Sequence, residues 1–199
     1  MKLKYILLTI PLLLLLSCEK KAPAQTAALS IEGTIAHMAG MVTVDGRTAE
    51  PGTRVKDGEV VQTGPEGFCE IQFLDANIIR IYEDSIIKIS FSESTVSLEK
   101  GAAAAVLRNL GDFIKTMDDV FTVKSGTVVA GIRGTSFYMK REDPQTSYFC
   151  LCNGKIELSD GGKQFSRNLE STHHKAVRIR EDNRKLEVSQ APMLYHTDA

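Results

Sequence analysis

The sequence predicts an all-β domain, and three observations lead to that prediction. Apolar and polar residues alternate in short runs from Ile31 onward, as expected for strands that bury one face. Asp-Gly pairs at 45–46 and 57–58 end two of these runs, and such pairs tolerate the backbone conformation of tight turns. No segment keeps an apolar period of 3.6 residues, which argues against a helical bundle.

The N-terminal segment, residues 1–17, is typical of a secretory signal peptide. Lys2 and Lys4 precede an apolar run that is too short to span a bilayer core of about 30 Å comfortably. The segment leads into Leu-Leu-Ser-Cys, which resembles the lipobox of bacterial lipoproteins. That resemblance implies cleavage before Cys18 and a covalent lipid on Cys18, and the alternative is an ordinary signal peptide followed by a chance cysteine. Residues 18–30 are polar and small, which predicts a flexible tether.

The net charge and the predicted anchor narrow the class of protein and its location. Removing residues 1–17 takes away two lysines and no acidic residue, so the formal net charge falls from −1 to −3. No basic patch remains to indicate a nucleic-acid partner. We expect a chain anchored to a membrane by its lipid and facing the periplasm or the cell surface. Glu19, rather than an aspartate, follows Cys18, and this favours the outer membrane.

The predicted strands follow one another at the spacing of about 8 to 12 residues that is common in all-β domains. They are residues 41–44, 54–56, 59–62, 69–73, 78–82, 86–91, 95–98, 121–124, 128–130, 136–140, 148–151, 155–158 and 176–179. The alanine-rich segment 102–110 has helical propensity, but glycines on both sides leave room for only a short helix. We therefore expect a strand and a loop there.

The segment 128–139, VVAGIRGTSFYM, resembles the hallmark of the FecR domain. Segments before and after it match that family in the same order, so the resemblance covers about residues 31–158. It implies an all-β domain of short strands, arranged as a solenoid or a sandwich, onto which a C-terminal extension of residues 159–199 packs. The hallmark residues, to which we assign a structural role, are Gly131, Arg133, Gly134, Thr135 and Phe137.

We interpret this hallmark as a requirement for particular backbone conformations. Gly131 and Gly134 supply backbone conformations that are costly for residues with a Cβ. Arg133 between them is expected to be a half-buried donor, because a buried guanidinium without partners is unfavourable. A direct contact of Arg133 with a ligand is the alternative.

The FecR resemblance also bears on function. FecR proteins relay the state of an outer-membrane receptor to a sigma factor, which requires a cytoplasmic segment and a spanning helix. We expect neither in this chain, so the resemblance predicts a binding or sensory-interaction module of the cell envelope and not a complete anti-sigma regulator. Its partner would be an envelope protein or a glycan.

Three cysteines remain if Cys18 carries lipid, namely Cys69, Cys150 and Cys152. Residues two apart in a strand point to the same side, about 6.6 Å between Cα atoms, so Cys150 and Cys152 should share a face. That span is near the upper limit for a disulfide between them. Cys69 could instead form a disulfide with one member of the pair, or all three thiols could be buried and inert.

Three histidines, His173, His174 and His196, follow the cysteine pair in the sequence. Two thiolates and neighbouring imidazoles would make a four-ligand site for zinc, or a soft site for Cu(I), in a metal-binding or redox protein. The tail also resembles that of a subgroup of FecR-containing proteins. The further residues that carry this resemblance are Tyr148, Gly154, Thr172, Thr197 and Asp198.

Catalytic motifs are not found in the sequence. It contains no G-x-S-x-G, no P-loop and no H-E-x-x-H. We therefore expect no enzymatic activity. If neither binding nor metal chemistry applied, a structural envelope protein would be the remaining class.

Overall fold

The computed structural model describes residues 31–108, 110, 120–126, 128–132, 134–162, 164–182 and 185–196. These residues form β-strands and no α-helix, so the predicted all-β class is confirmed. The strands are Gly33–Ala39 (β1), Val42–Val44 (β2), Arg47–Thr48 (β3), Arg54–Val55 (β4), Val60–Thr63 (β5), Phe68–Phe73 (β6), Asn77–Ile81 (β7), Ile86–Ser90 (β8), Thr95–Val106 (β9), Phe121–Ser125 (β10), Val128–Ile132 (β11), Ser136–Arg141 (β12), Thr146–Ser159 (β13), Ser166–Ser171 (β14), Lys175–Asp182 (β15) and Lys185–Ala191 (β16).

The strands form one continuous sheet of two parts, called sheets A and B here, which enclose a common core. The sheet closes on itself like a small barrel where β9, β12, β13, β11 and β10 pair in a ring. Sheet A has the order β4-β1-β6-β7-β9-β12-β13-β15-β16. Sheet B has the order β3-β2-β5-β8-β9-β10-β11-β13-β14. Neighbouring strands are antiparallel except for β9 and β10, which are parallel.

The two long strands β9 and β13 belong to both sheets and join them. In β9, residues 95–100 pair in sheet B and residues 101–106 pair in sheet A. In β13, residues 146–153 pair in sheet A and residues 154–159 pair in sheet B. Each strand changes sheet at a glycine with positive φ, Gly101 at 83° and Gly154 at 108°. Glycine is suited to both positions because it has no Cβ to disfavour such a backbone.

The core lies between the inner faces of the two sheets. Phe73 of sheet A packs against Phe91 and Phe121 on the side of sheet B, with ring centroids 5.5 and 6.3 Å apart. Further buried side chains from both layers surround them, and each large apolar side chain contributes about 1.5 to 3 kcal/mol on burial. The face that each sheet turns to this core therefore accounts for the alternating pattern of the strands.

The alanine-rich segment belongs to β9, which ends at Val106, and so agrees with the expected strand and loop. Ala103 and Ala105 face the core, whereas Ala102 lies in a second buried cluster on the other side of sheet A. The C-terminal extension adds strands to the existing sheets: β14 pairs with β13 in sheet B, and β15 and β16 extend sheet A. Among the described residues, no helix is long and apolar enough to cross a membrane.

Substituting Gly101 by alanine should destabilise the fold strongly. A Cβ at this position would lie 2.6 Å from the Cα of Ser85, and the φ of 83° adds backbone strain. We expect a loss of about 3 kcal/mol in the free energy of unfolding, from about 1 to 2 kcal/mol of strain and a similar packing cost. Urea denaturation of the purified protein measures this loss.

Gly58→Ala is the matched control, because Gly58 has a φ of 79° and open space around it. It should cost only the strain of about 1 to 2 kcal/mol. Equal losses for the two variants would show that the close approach of β9 to Ser85 contributes nothing.

Candidate metal centre

The predicted cysteine pair lies on the outer face of sheet A. Along β13, Phe149 and Leu151 point into the core, whereas Tyr148 and Cys150 belong to a separate buried cluster on the opposite face, against which Cys152 packs. Cys150 is fully buried and Cys152 is half-buried. The pair shares a face, as the period of the strand predicts.

A β-bulge sets the position of Cys152. In the pairing with β12, Phe137 is opposite Leu151 and Ser136 is opposite Asn153, so Cys152 is the extra residue of β13. A bulge bends the strand and redirects the side chain of the extra residue. The bend comes immediately before Gly154, where β13 passes from sheet A to sheet B. The geometry of the pair is therefore tied to the path of the longest strand of the fold.

His174 reaches the pair from the turn between β14 and β15. Its backbone has a φ of 40°, and its N–H donates to the carbonyl oxygen of Cys152 at 3.2 Å. This hydrogen bond places the imidazole beside the thiols, with Nδ1 at 3.6 Å from Sγ of Cys150.

His196 reaches the pair from the C-terminal strap, which we define as residues 192–196. Its Nε2 lies 3.7 Å from Sγ of Cys152, and its Nδ1 lies 2.9 Å from the carbonyl oxygen of Leu194. A carbonyl can only accept, so Nδ1 carries the proton in this bond, and a neutral ring would then direct the lone pair of Nε2 toward Cys152. The imidazole also stacks on Tyr138, with ring centroids 4.8 Å apart.

Two hydrogen bonds of the Tyr148 hydroxyl connect the strap to sheet A. Its hydroxyl donates to the carbonyl oxygen of Pro192 at 3.1 Å and accepts from the N–H of Leu194 at 2.8 Å. Next to His196, the hydroxyl of Tyr195 donates to Glu142 at 2.6 Å. Glu142 in turn accepts two hydrogen bonds from Arg178, at 2.6 and 2.8 Å, which lower the pKa of its carboxyl group.

The four ligand atoms of Cys150, Cys152, His174 and His196 all lie within 4.8 Å of one another. They come from three parts of the chain that are far apart in sequence. The cluster opens onto a groove of about 550 Å³, whose lining includes Cys152, His174 and His196. A small ion therefore has a path to the ligand atoms.

The thiols of Cys152 and Cys69 are poorly ionised in the absence of a metal. A hydrogen bond between Cys152 and Cys150, together with burial, raises the pKa of the Cys152 thiol well above its ordinary value. Burial also raises the pKa of the Cys69 thiol to about 12. A cation at the cluster would reverse this for Cys152, because a coordinated thiol loses its proton.

His173 is the histidine of the predicted set that lies outside the four-atom cluster. Its side chain is exposed, and its ring contacts that of His174 edge to face at 4.8 Å. Sequence reasoning could not separate the two neighbours, because the choice between them depends on the left-handed backbone of His174.

Cys69 lies on the other side of sheet A from the pair. It sits in β6 with its side chain in the main core, and none of the three described cysteines forms a disulfide. A disulfide from Cys69 to Cys150 or Cys152 would have to pass through the sheet, so the geometry does not support that alternative.

The described hallmark residues lie near the point where β13 changes sheet. A Cβ on Gly131 would meet the side chain of Val120 at 2.8 Å, and Gly134 has a φ of 59°. Thr135 is buried, and Phe137 stacks on Phe149 in the core at 5.3 Å. Arg133 lies outside the described residues, as do Cys18, Thr197 and Asp198.

Several residues that shape the site were not singled out by the sequence analysis. Tyr138, Glu142 and Arg178 support the strap, and Leu194 lies within it, but none of the four belongs to a local motif. Only Tyr138 could have been found from the sequence, because the alternation of β12 places it on the outer face of sheet A.

Comparison with known proteins finds a family match for the central segment of the chain. Residues 59–157 match the family described as FecR protein. This segment is FecR-like; it contains Cys150 and Cys152 and ends before His174 and His196. No curated protein gives a match to the chain.

Solved structures support the same fold. Two crystal structures of a candidate anti-sigma factor from Parabacteroides distasonis ATCC 8503 superpose with a TM-score of 0.51 at 14% sequence identity. Each match covers 66% of this chain and 59% of the other chain. At this identity the likeness concerns the fold.

The oxidation state of the cysteines can be tested directly. In a shortened chain that begins at Glu19, titration under denaturing, chelating and non-reducing conditions should find three free thiols. The reason is that Cys69 and the pair lie on opposite faces of sheet A. The same titration after reduction is the control and should give the same number. A single free thiol before reduction would instead indicate a disulfide.

Proposed function

We propose that this protein is a metal-binding, FecR-type module of the cell envelope, in which Cys150, Cys152, His174 and His196 hold one metal ion. The observation that carries the proposal is the convergence of four suitable ligand atoms within 4.8 Å. The predicted ligand His173 is not part of this set.

The distances suit a tetrahedral ion. Metal–sulfur bonds of about 2.3 Å and metal–nitrogen bonds of about 2.0 to 2.1 Å imply a sulfur–nitrogen edge of about 3.6 Å in a tetrahedron. The two corresponding distances in the structure, Cys150 to His174 and Cys152 to His196, are 3.6 and 3.7 Å. Small side-chain rotations would bring the remaining pairs, which are within 4.8 Å, to bonding geometry.

The donor set favours zinc or Cu(I). Two thiolates with two imidazoles form a common tetrahedral zinc site, and thiolates are also preferred by Cu(I). The surroundings of His196 support the role of a ligand, because a metal-binding imidazole usually donates its other N–H to a carbonyl or carboxylate. The carbonyl of Leu194 provides such a partner.

The FecR-like segment supports a regulatory or sensory role for the module as a whole. In this proposal the protein is a lipoprotein attached through Cys18, placed preferentially in the outer membrane, and it contacts an envelope protein or glycan without acting as a complete anti-sigma regulator. It works by binding and not by catalysis. The metal would then be a structural or regulatory part of the interaction module.

Metal binding is tested on the chain that begins at Glu19, purified without chelators. Elemental analysis should find about one zinc or copper ion per chain. The Cys150→Ser/Cys152→Ser variant should lose it, because serine does not replace a thiolate ligand. Affinity measured by competition with a chelator should fall as the pH is lowered, because protons compete for the thiolates.

His173→Ala provides the matched control for the histidine ligands. It should bind as the parent does, whereas His174→Ala and His196→Ala should each weaken binding by at least about tenfold, as expected when the coordination of a metal is disturbed. Absence of stoichiometric metal from the parent after exposure to Zn²⁺ and to Cu(I) would contradict the proposal.

The lipid anchor is a separate prediction. The full-length protein expressed in a bacterial envelope should partition into the detergent phase, because several acyl chains on Cys18 give a stable anchor. The Cys18→Ser variant should partition into the aqueous phase. Equal partitioning of the two forms would contradict anchoring through Cys18.

A further inference from the structure

We infer that metal binding latches the C-terminal strap, residues 192–196, onto sheet A, and that the metal-free form releases it. This inference rests on the proposed metal site and adds a regulation to it. Metal occupancy would decide whether the outer face of sheet A is covered.

The four ligands differ in how they are attached to the fold. Cys150 and Cys152 belong to β13, which lies inside sheet A and continues into sheet B. His174 follows β14 and is tied to β13 by its backbone hydrogen bond to Cys152. His196 alone comes from the strap, beyond the end of β16. Coordination would therefore connect the strap to a part of the molecule that is already rigid.

Without a metal, the strap is held by contacts that can open locally. They include the Tyr148 hydroxyl, the exposed hydrogen bond from Tyr195 to Glu142, and Leu194 packed on the outer cluster. Pro192, Met193 and Tyr195 are exposed, and such segments open at a lower free-energy cost than the core. The strap is thus suited to exist in two positions, one bound to sheet A and one released from it.

The strap covers apolar groups that would be exposed without it. Tyr138 and Tyr148 are buried on the outer face of sheet A, where they contact Tyr195 and His196. Ile78 and Val106, which pair across neighbouring strands and line the groove next to the ligands, are already 41% and 36% exposed. Release of the strap would enlarge this apolar surface.

Hydrogen exchange of the purified full chain tests the latch. The amide of Leu194, which donates to Tyr148, reports opening of the strap. With Zn²⁺ at about 100 times its dissociation constant, exchange in the peptide that contains Leu194 should slow by up to about 100-fold, the limit set by mass action if the open form does not bind. Peptides from β1 should not change, since that strand lies away from the ligands.

Two single-ligand variants separate the latch from metal binding. His174→Ala loses one ligand but keeps the connection through His196, so saturating Zn²⁺ should still slow exchange at Leu194. His196→Ala retains three ligands, yet Zn²⁺ should leave exchange at Leu194 unchanged. Metal content is measured on the same samples by elemental analysis.

The outcomes distinguish this inference from the proposed function. If the parent binds one Zn²⁺ per chain and exchange at Leu194 does not slow, the latch is overturned while the metal site stands. If His196→Ala still shows slowing by Zn²⁺, the latch through His196 is also overturned. If the parent binds no metal, both fail together.

Discussion

The path of β13 is the constraint on which the rest of the structure depends. This strand runs through sheet A as far as Asn153 and through sheet B from Gly154 onward, so it joins the two layers that enclose the core. A strand can change sheets only where the backbone bends sharply, and the bulge at Cys152 together with the positive φ of Gly154 supplies that bend. The close approach of Gly154 to Thr135 leaves no room for a side chain there.

The candidate metal centre is a product of the same bend. Regular alternation puts Cys150 on the outer face, and the bulge then directs Cys152 to the same cluster while the strand turns away. The carbonyl of Cys152 receives the N–H of His174, so the bulged residue also positions the third ligand. The bend that takes β13 from one sheet to the other thus also provides the geometry of the candidate site.

The division of the ligands along the chain has a functional implication. Cys150 and Cys152 lie inside the FecR-like segment, whereas His174 and His196 lie in the extension that follows it. The FecR-like part by itself would present the two thiols without the imidazoles. The extension converts them into a set of four donors and at the same time covers the tyrosines of sheet A. In the proposed function, the extension is therefore what distinguishes this module from a bare FecR-like domain.

The sequence by itself determined the features that follow from local periodicity. Alternation and turn residues indicated an all-β chain, and the two-residue spacing predicted that Cys150 and Cys152 share a face, without indicating the bulge at Cys152. The donor types also indicated the chemistry of the site, because thiols and imidazoles have known metal preferences wherever they lie. These properties depend on residue identity and on near neighbours.

Only the tertiary structure decided which residues meet. It placed Cys69 on the inner face of sheet A, where the sheet separates it from the pair, and it selected His174 over His173 through a single left-handed residue. It also brought His196 to Cys152 across 44 positions of sequence, held by the hydroxyl of Tyr148. Contacts of this range depend on how strands are ordered between two sheets, which no local pattern specifies.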